Sequence, residues 1–194
     1  MTTTETKEKW ELSVAMAVGN MLWSRIAPAA VEGFCRVVGS VRRGKKEVGD
    51  VELLYVPRIV LRKGPGEMFE SEHDAVALVL RELLDSGMLD KRKNSDGILT
   101  WGPQIKLARH VATGIPVDLF ATNEASWWNY LVCRTGPAES NTMIAAAARA
   151  RGWKWEPYSS GFRSLGTDEV HAVNSEREVF EFVGMKYEEP EQRS

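Results

Sequence analysis

The sequence predicts an α+β protein, a mixed sheet with helices against it followed by a small α/β C-terminal part. Three observations carry this. Residues 50–57 and 115–121 alternate apolar and acidic side chains with the period of two that a half-buried strand requires. Residues 7–26 and 72–86 instead repeat apolar side chains at helical spacing. From Ala125 the character shifts to a Trp-rich segment, an alanine-rich helix and short β-rich runs.

The composition bounds the function. At 194 residues the chain makes one domain or two small lobes sharing a core. A net charge of −2 gives no overall basic surplus, so any contact with nucleic acid must come from local patches. Two cysteines, Cys35 and Cys133, are too few for a disulfide framework and suit a reducing compartment. The start is polar, without a signal-like segment, and no run approaches the roughly 20 apolar residues of a membrane span. A cytoplasmic location, with no membrane partner, is the expectation.

In chain order, residues 1–6 read as a disordered polar lead. Trp10, Val14, Ala17, Met21 and Leu22 mark the buried stripe of a helix that stops before Pro28. A short strand at 31–38 leads into a Gly39-Ser40 turn and a basic loop. The acidic strand ends near Pro57, and residues 58–71 read as a basic Gly/Pro loop. Val76, Val79, Leu80, Leu83 and Leu84 line the next helix, which Gly87 stops. A meander of strands is expected at 88–93, 98–101 and 104–111 before the strand at 115–121. Beyond Trp127, Trp128, Tyr130 and Leu131 comes a turn at 134–137, a helix at 139–149 and strands at 153–155 and 170–173. Ser175-Glu176-Arg177-Glu178 reads as a capping box opening a last helix to about Val183.

The chemistry concentrates in VVGSVRRGKKEVGDVELL, residues 37–54. Asp50 and Glu52 point to one side of their strand while Val51 and Leu53 point to the core. Carboxylates side by side repel, and a divalent cation is the simplest compensation. Gly39 and Ser40 allow close approach of a ligand, and Arg42, Arg43, Lys45 and Lys46 bring positive charge, a combination suited to a nucleoside triphosphate with its magnesium. GSVRRGKK is not the phosphate loop of ATPases: Lys46 replaces the required hydroxyl, and strand-like residues follow where a helix is needed. Asp118, opposite Val117 and Leu119 on its strand, offers a third carboxylate.

Gly39-Ser40, Arg43, Gly49-Asp50-Val51-Glu52, Val117-Asp118-Leu119, then Thr135-Gly136 with Asn141, occur in the order found in family X DNA polymerases. The chain resembles the DNA polymerase beta type from about residue 10 to its end, including a similar closing segment from Ser175-Glu176 through Lys186-Tyr187 to Glu189-Pro190 and Arg193. The resemblance implies a nucleotidyltransferase palm at residues 1–122 and a nucleotide-binding C-terminal subdomain at 123–194. The lyase and helix-hairpin-helix modules of larger members have no counterpart in it. It implies two Mg2+ ions, replaceable by Mn2+, held by Asp50, Glu52 and Asp118 as the catalytic carboxylates. It further implies a dNTP held through Gly39, Ser40, Arg43 and Gly49 at the phosphates, Thr135-Gly136 at the sugar and Asn141 at the base. Two such ions stabilise both the attacking 3′-hydroxyl and the leaving pyrophosphate.

Four residues at three places depart from the family pattern. Glu52 stands where aspartate is usual, one methylene longer, which predicts reduced rather than absent activity. Cys133-Arg134 replaces the aromatic pair that packs near the sugar, and Ala145 replaces an arginine that probes the template. Clusters at Arg58-Arg62-Lys63, Lys91-Arg92-Lys93 and Arg149-Arg151-Lys154 are candidate phosphate contacts, so primer-template or gapped DNA is expected to bind weakly and with steep salt dependence. A partner protein that targets the chain to DNA is a further expectation. The leading function is a compact DNA polymerase acting in repair. A same-fold nucleotidyltransferase with another or untemplated acceptor, and a non-catalytic nucleotide- or DNA-binding module, are the alternatives.

Overall fold

The computed structural model describes residues 8–63 and 68–193; the polar lead, Lys7 and residues 64–67 of the expected loop lie outside the described residues. Trp10–Glu11 (β1) precedes helix Leu12–Ile26 (α1), and strand Ala30–Val38 (β2) follows. The Gly-Ser segment is one turn of helix, Gly39–Arg42 (α2), where a turn and basic loop are expected from sequence. It closes because Gly39 O accepts from Arg43 N and Val41 O from Gly44 N. Glu47–Val48 (β3) then pairs back onto β1, so a strand does follow the GKK sequence.

The acidic strand is Val51–Pro57 (β4). Residues 58–71 are not simply a loop: Ile59–Arg62 (β5) pairs with Ser71–Asp74 (β6) as a ribbon. Its strand β5 leaves Ile59 and Leu61 exposed, so the inward-outward contrast that reveals a strand in sequence is missing. Asp74 caps helix Ala75–Asp85 (α3) by accepting from Ala77 N, and Gly87, at φ 71, ends it as expected. Strands Leu89–Lys91 (β7), Ile105–His110 (β8) and Pro116–Ala121 (β9) complete the meander. The expected strand at 98–101 is reduced to two isolated bridges. Asn94 Oδ1 accepts from Asp96 N and Ile98 N there, curling the chain away from the sheet.

The sheet runs in the order β2-β4-β9-β8-β7, with β4 and β9 parallel and the other neighbours antiparallel. Its two faces follow directly from the period of two. Val51, Leu53, Tyr55, Val117 and Leu119 enter a core with α1 and α3. On α1 the buried positions are Ala15, Val18, Leu22 and Ile26, whereas the expected Val14 and Ala17 are exposed. On the buried face Gly19 lets the helix lie close to the sheet: a Cβ there would sit 3.3 Å from Val37 Cγ1.

The opposite face carries Leu54, Val56 and Phe120, and helix Trp127–Thr135 (α4) covers them with Trp127, Tyr130 and Leu131. Trp127 is buried edge-on to Phe34, a core role rather than a stacking platform. Beyond α4 come helix Ala138–Ala150 (α5), strands Trp153–Trp155 (β10), Gly161–Ser164 (β11) and Val170–Ala172 (β12), and helix Glu176–Phe182 (α6). β11, not anticipated from sequence, sits between β10 and β12. A separate core of Val132, Ile144, Phe162, Val179 and Phe180 holds this part together. At α6, Ser175 accepts from Glu178 N, but the Glu178 side chain accepts from Asn174 N, one residue before the cap. Among the described residues no helix is long and apolar enough to cross a membrane.

Candidate active site

Strand pairing sets two of the acidic residues side by side. Glu52 lies directly across from Asp118 in the parallel pair, and Val38 lies across from Glu52 on the other side. The chain therefore reaches Gly39 immediately beside the Glu52 side chain. A Cβ on Gly39 would lie 1.7 Å from Glu52 Oε2, and Gly39 has φ +65, so glycine supplies both the space and the backbone conformation. The extra methylene of Glu52 is accommodated by packing its carboxyl against this glycine.

Burial, then the charges of Asp50 and Asp118, push Glu52 up to about 8, against the downward pull of Arg134 and Arg43. The surroundings of Glu52 therefore favour its protonated form. Asp118 is ion-paired with Arg92, whose Nη2 donates to Asp118 Oδ1. Arg92 was read from sequence as a phosphate contact; the structure places it on a carboxylate instead.

The donor set is all oxygen, which suits Mg2+ or Mn2+. Burial, and then the charges of two neighbouring acids, disfavour an ionised Glu52, a cost that a cation beside it would reduce. Among the described residues no group of three or more His, Cys, Asp or Glu is gathered so as to hold a metal ion. Asp118 faces Arg92, and Glu52 lies on Gly39. The carboxylate oxygens are of the chemistry a divalent cation takes, but the arrangement here pairs Asp118 with Arg92 instead.

The residues expected at the nucleotide form a second, connected set. Arg43 Nη1 donates to the Thr135 carbonyl, and Arg42 Nη1 donates to Thr135 Oγ1 at 2.6 Å. Gly136, at φ +64, leaves room for Arg43: a Cβ there would come within 3.1 Å of its Nη1. Asn141 Nδ2 donates to the Cys133 carbonyl at 2.9 Å, tying α5 to α4. Ser40 is half-buried on α2 and Gly49 buried between β3 and β4. Arg43 Nε, Arg134 Nε and Asn141 Oδ1 are buried without a protein partner. Unpaired buried polar atoms call for a partner, and these offer two donors and one acceptor.

Arg42 does not serve the phosphate side. It grips Glu176 through both nitrogens, at 2.5 and 3.1 Å, and Arg193 Nη2 donates to the same carboxylate at 3.1 Å. This triad, with Glu176 and Arg193 buried and Arg42 half-buried, locks α2 to α6 and to the closing segment. Lys45 and Lys46 are exposed. Arg134 lies 3.6 Å above the Phe120 ring and near Tyr130 and Tyr158, so its charge reaches Glu52 from α4. Sequence reasoning saw Arg42, Arg92, Arg134 and Glu176 singly. Their pairings span up to 134 residues, and nothing in a local window signals them. Two histidines sit in local structural contacts: His110 pairs with Thr113 Oγ1, and His171 stacks on Phe182.

Residues 130–194 match the family model of the DNA polymerase beta thumb. No curated protein matches the chain.

Proposed function

We propose, on the premise that this family X-like chain ends in a polymerase beta thumb, that it transfers a nucleotidyl group from a (d)NTP to the 3′-hydroxyl of DNA, as a compact repair-type polymerase. The reading rests above all on one observation: Glu52 and Asp118 stand in register on parallel strands, on the sheet face that the C-terminal part also packs against. In this reading residues 1–122 are the palm and 123–194 the nucleotide-binding subdomain. Asp50, Glu52 and Asp118 would hold two Mg2+ or Mn2+ ions, which supply stabilisation of the attacking and leaving oxygens when bound.

The chain's own groups divide the remaining work. Asp118 orients the 3′-hydroxyl and accepts its proton. Arg43, fixed by the Thr135 carbonyl, neutralises charge on the phosphates as the bond to pyrophosphate breaks. The unpaired Asn141 Oδ1 accepts from the base, and Thr135-Gly136 borders the sugar. Nucleotide and DNA together bridge the two parts of the chain.

The experiment is extension of a labelled primer on template, on gapped duplex and as single strand, with magnesium or manganese and individual dNTPs. Correct-base addition supports a templated polymerase, and untemplated addition supports a same-fold transferase with another acceptor. Asp118→Ala abolishes extension while nucleotide binding persists; unchanged extension by that variant ends the proposal. A second reading, a module that binds nucleotide or DNA without transfer, is favoured by the burial of the Glu52 carboxyl and the guanidinium on Asp118. It predicts binding with no product under any of these conditions.

A further inference from the structure

We propose that Arg92 is a positioning residue for Asp118, a built-in counter-ion that a divalent cation must displace before the carboxylates can share it. This deepens the nucleotidyl-transfer reading and rests on it.

The guanidinium is placed by the sheet itself. Arg92 directly follows β7, and its backbone N–H donates to the Leu107 carbonyl at 3.0 Å. Leu107 is the cross-strand neighbour of Asp118, so Arg92 lies in the same row as the aspartate, on the far side of β8. Its Nε donates to the Ala108 carbonyl at 3.1 Å and its Nη1 to the Lys93 carbonyl at 3.4 Å. With two backbone carbonyls holding the fork, Nη2 is directed at Asp118 Oδ1. A surface arginine that met an acid by chance would lack this backbone support.

The pair is also half-sheltered: the side chains keep 23% and 19% of their exposure. That is dry enough for the charges to feel each other beyond ordinary surface screening, and open enough for solvent cations to compete. A cation arriving at the acids therefore finds Asp118 already neutralised. Removing the guanidinium takes one positive charge from beside the carboxylate, and cation affinity rises. Arginine at this place tunes the site toward loading only when a triphosphate brings further oxygen ligands with the ion.

The test is Mn2+ titration of the nucleotide-free protein, followed by the loss of the free Mn2+ signal in electron paramagnetic resonance. Wild type is compared with Arg92→Ala, Arg92→Lys and Asp118→Ala, each checked for fold by circular dichroism. Arg92→Ala is expected to bind Mn2+ about tenfold more tightly. Arg92→Lys, which keeps the charge, stays near wild type, and Asp118→Ala binds more weakly than either. Should Arg92→Ala fail to fold, Arg92→Gln keeps a donor for the Ala108 carbonyl and is expected to tighten binding likewise. Equal or weaker Mn2+ binding by the uncharged variants overturns the role of Arg92 and leaves the transferase reading standing. No Mn2+ binding by any variant, with or without dNTP, takes down both.

Discussion

Replacing Glu52 by Gln isolates the strain at the candidate site. The side chain keeps its size and its place against Gly39 but can no longer ionise. In the folded protein Glu52 is pushed from 4.5 up to about 8, first by burial and then by Asp50 and Asp118. Between those two values the native state holds one proton that the unfolded chain has released, so its contribution to stability falls as pH rises. The contribution is complete below about 4.5 and gone above about 8. At roughly 1.4 kcal/mol per pH unit the full shift corresponds to about 5 kcal/mol, of which solvent relaxation around the carboxylate leaves roughly 2–3 kcal/mol. Glu52→Gln lacks this slope. Urea unfolding at pH 5, 7 and 9 in a chelator should therefore show the variant gaining on wild type steadily, with the largest gain at pH 9. Parallel stability profiles for the two proteins would refute the assignment of Glu52 as a strained, proton-holding acid.

Two further substitutions test the frame around it. Gly39→Ala places a Cβ against Glu52 Oε2 at a positive φ and should cost about 1–3 kcal/mol in urea unfolding. Combined with Glu52→Ala, which vacates that space, its penalty should shrink; strict additivity would show that the two side chains do not meet. Glu176→Gln leaves Arg42 and the fully buried Arg193 without their shared counter-ion and should cost about 3–5 kcal/mol, read from the urea midpoint. A loss below about 1 kcal/mol would mean that the triad does not hold α2 to α6.

Much of the site was legible because strands alternate. Once residues 50–57 and 115–121 are strands, the directions of Glu52 and Asp118 relative to Val51, Leu53, Val117 and Leu119 follow from geometry alone, and the structure has them so. The Thr135-Gly136 segment and the closing residues carried a resemblance that the thumb match supports. Of the stripe expected for α1, Leu22 is buried and Trp10 and Met21 pack against the core, while Val14 and Ala17 are exposed. The face that meets the sheet is the one with Ala15 and Gly19 between Val18, Leu22 and Ile26, where Gly19 allows close approach to Val37. The ribbon of β5 and β6 escaped because it buries too little to leave a pattern.

By itself the sequence determined the order of most elements, the face each acid occupies and the presence of glycine where a Cβ has no room. Those are consequences of local covalent geometry and of a two-residue repeat, which any stretch of chain carries within itself. Tertiary structure alone decided which cation each acid meets: Arg92 for Asp118, and Arg42 with Arg193 for Glu176. Charge pairing depends on distance through space, and residues far apart in the chain become neighbours only when the sheet and helices have packed.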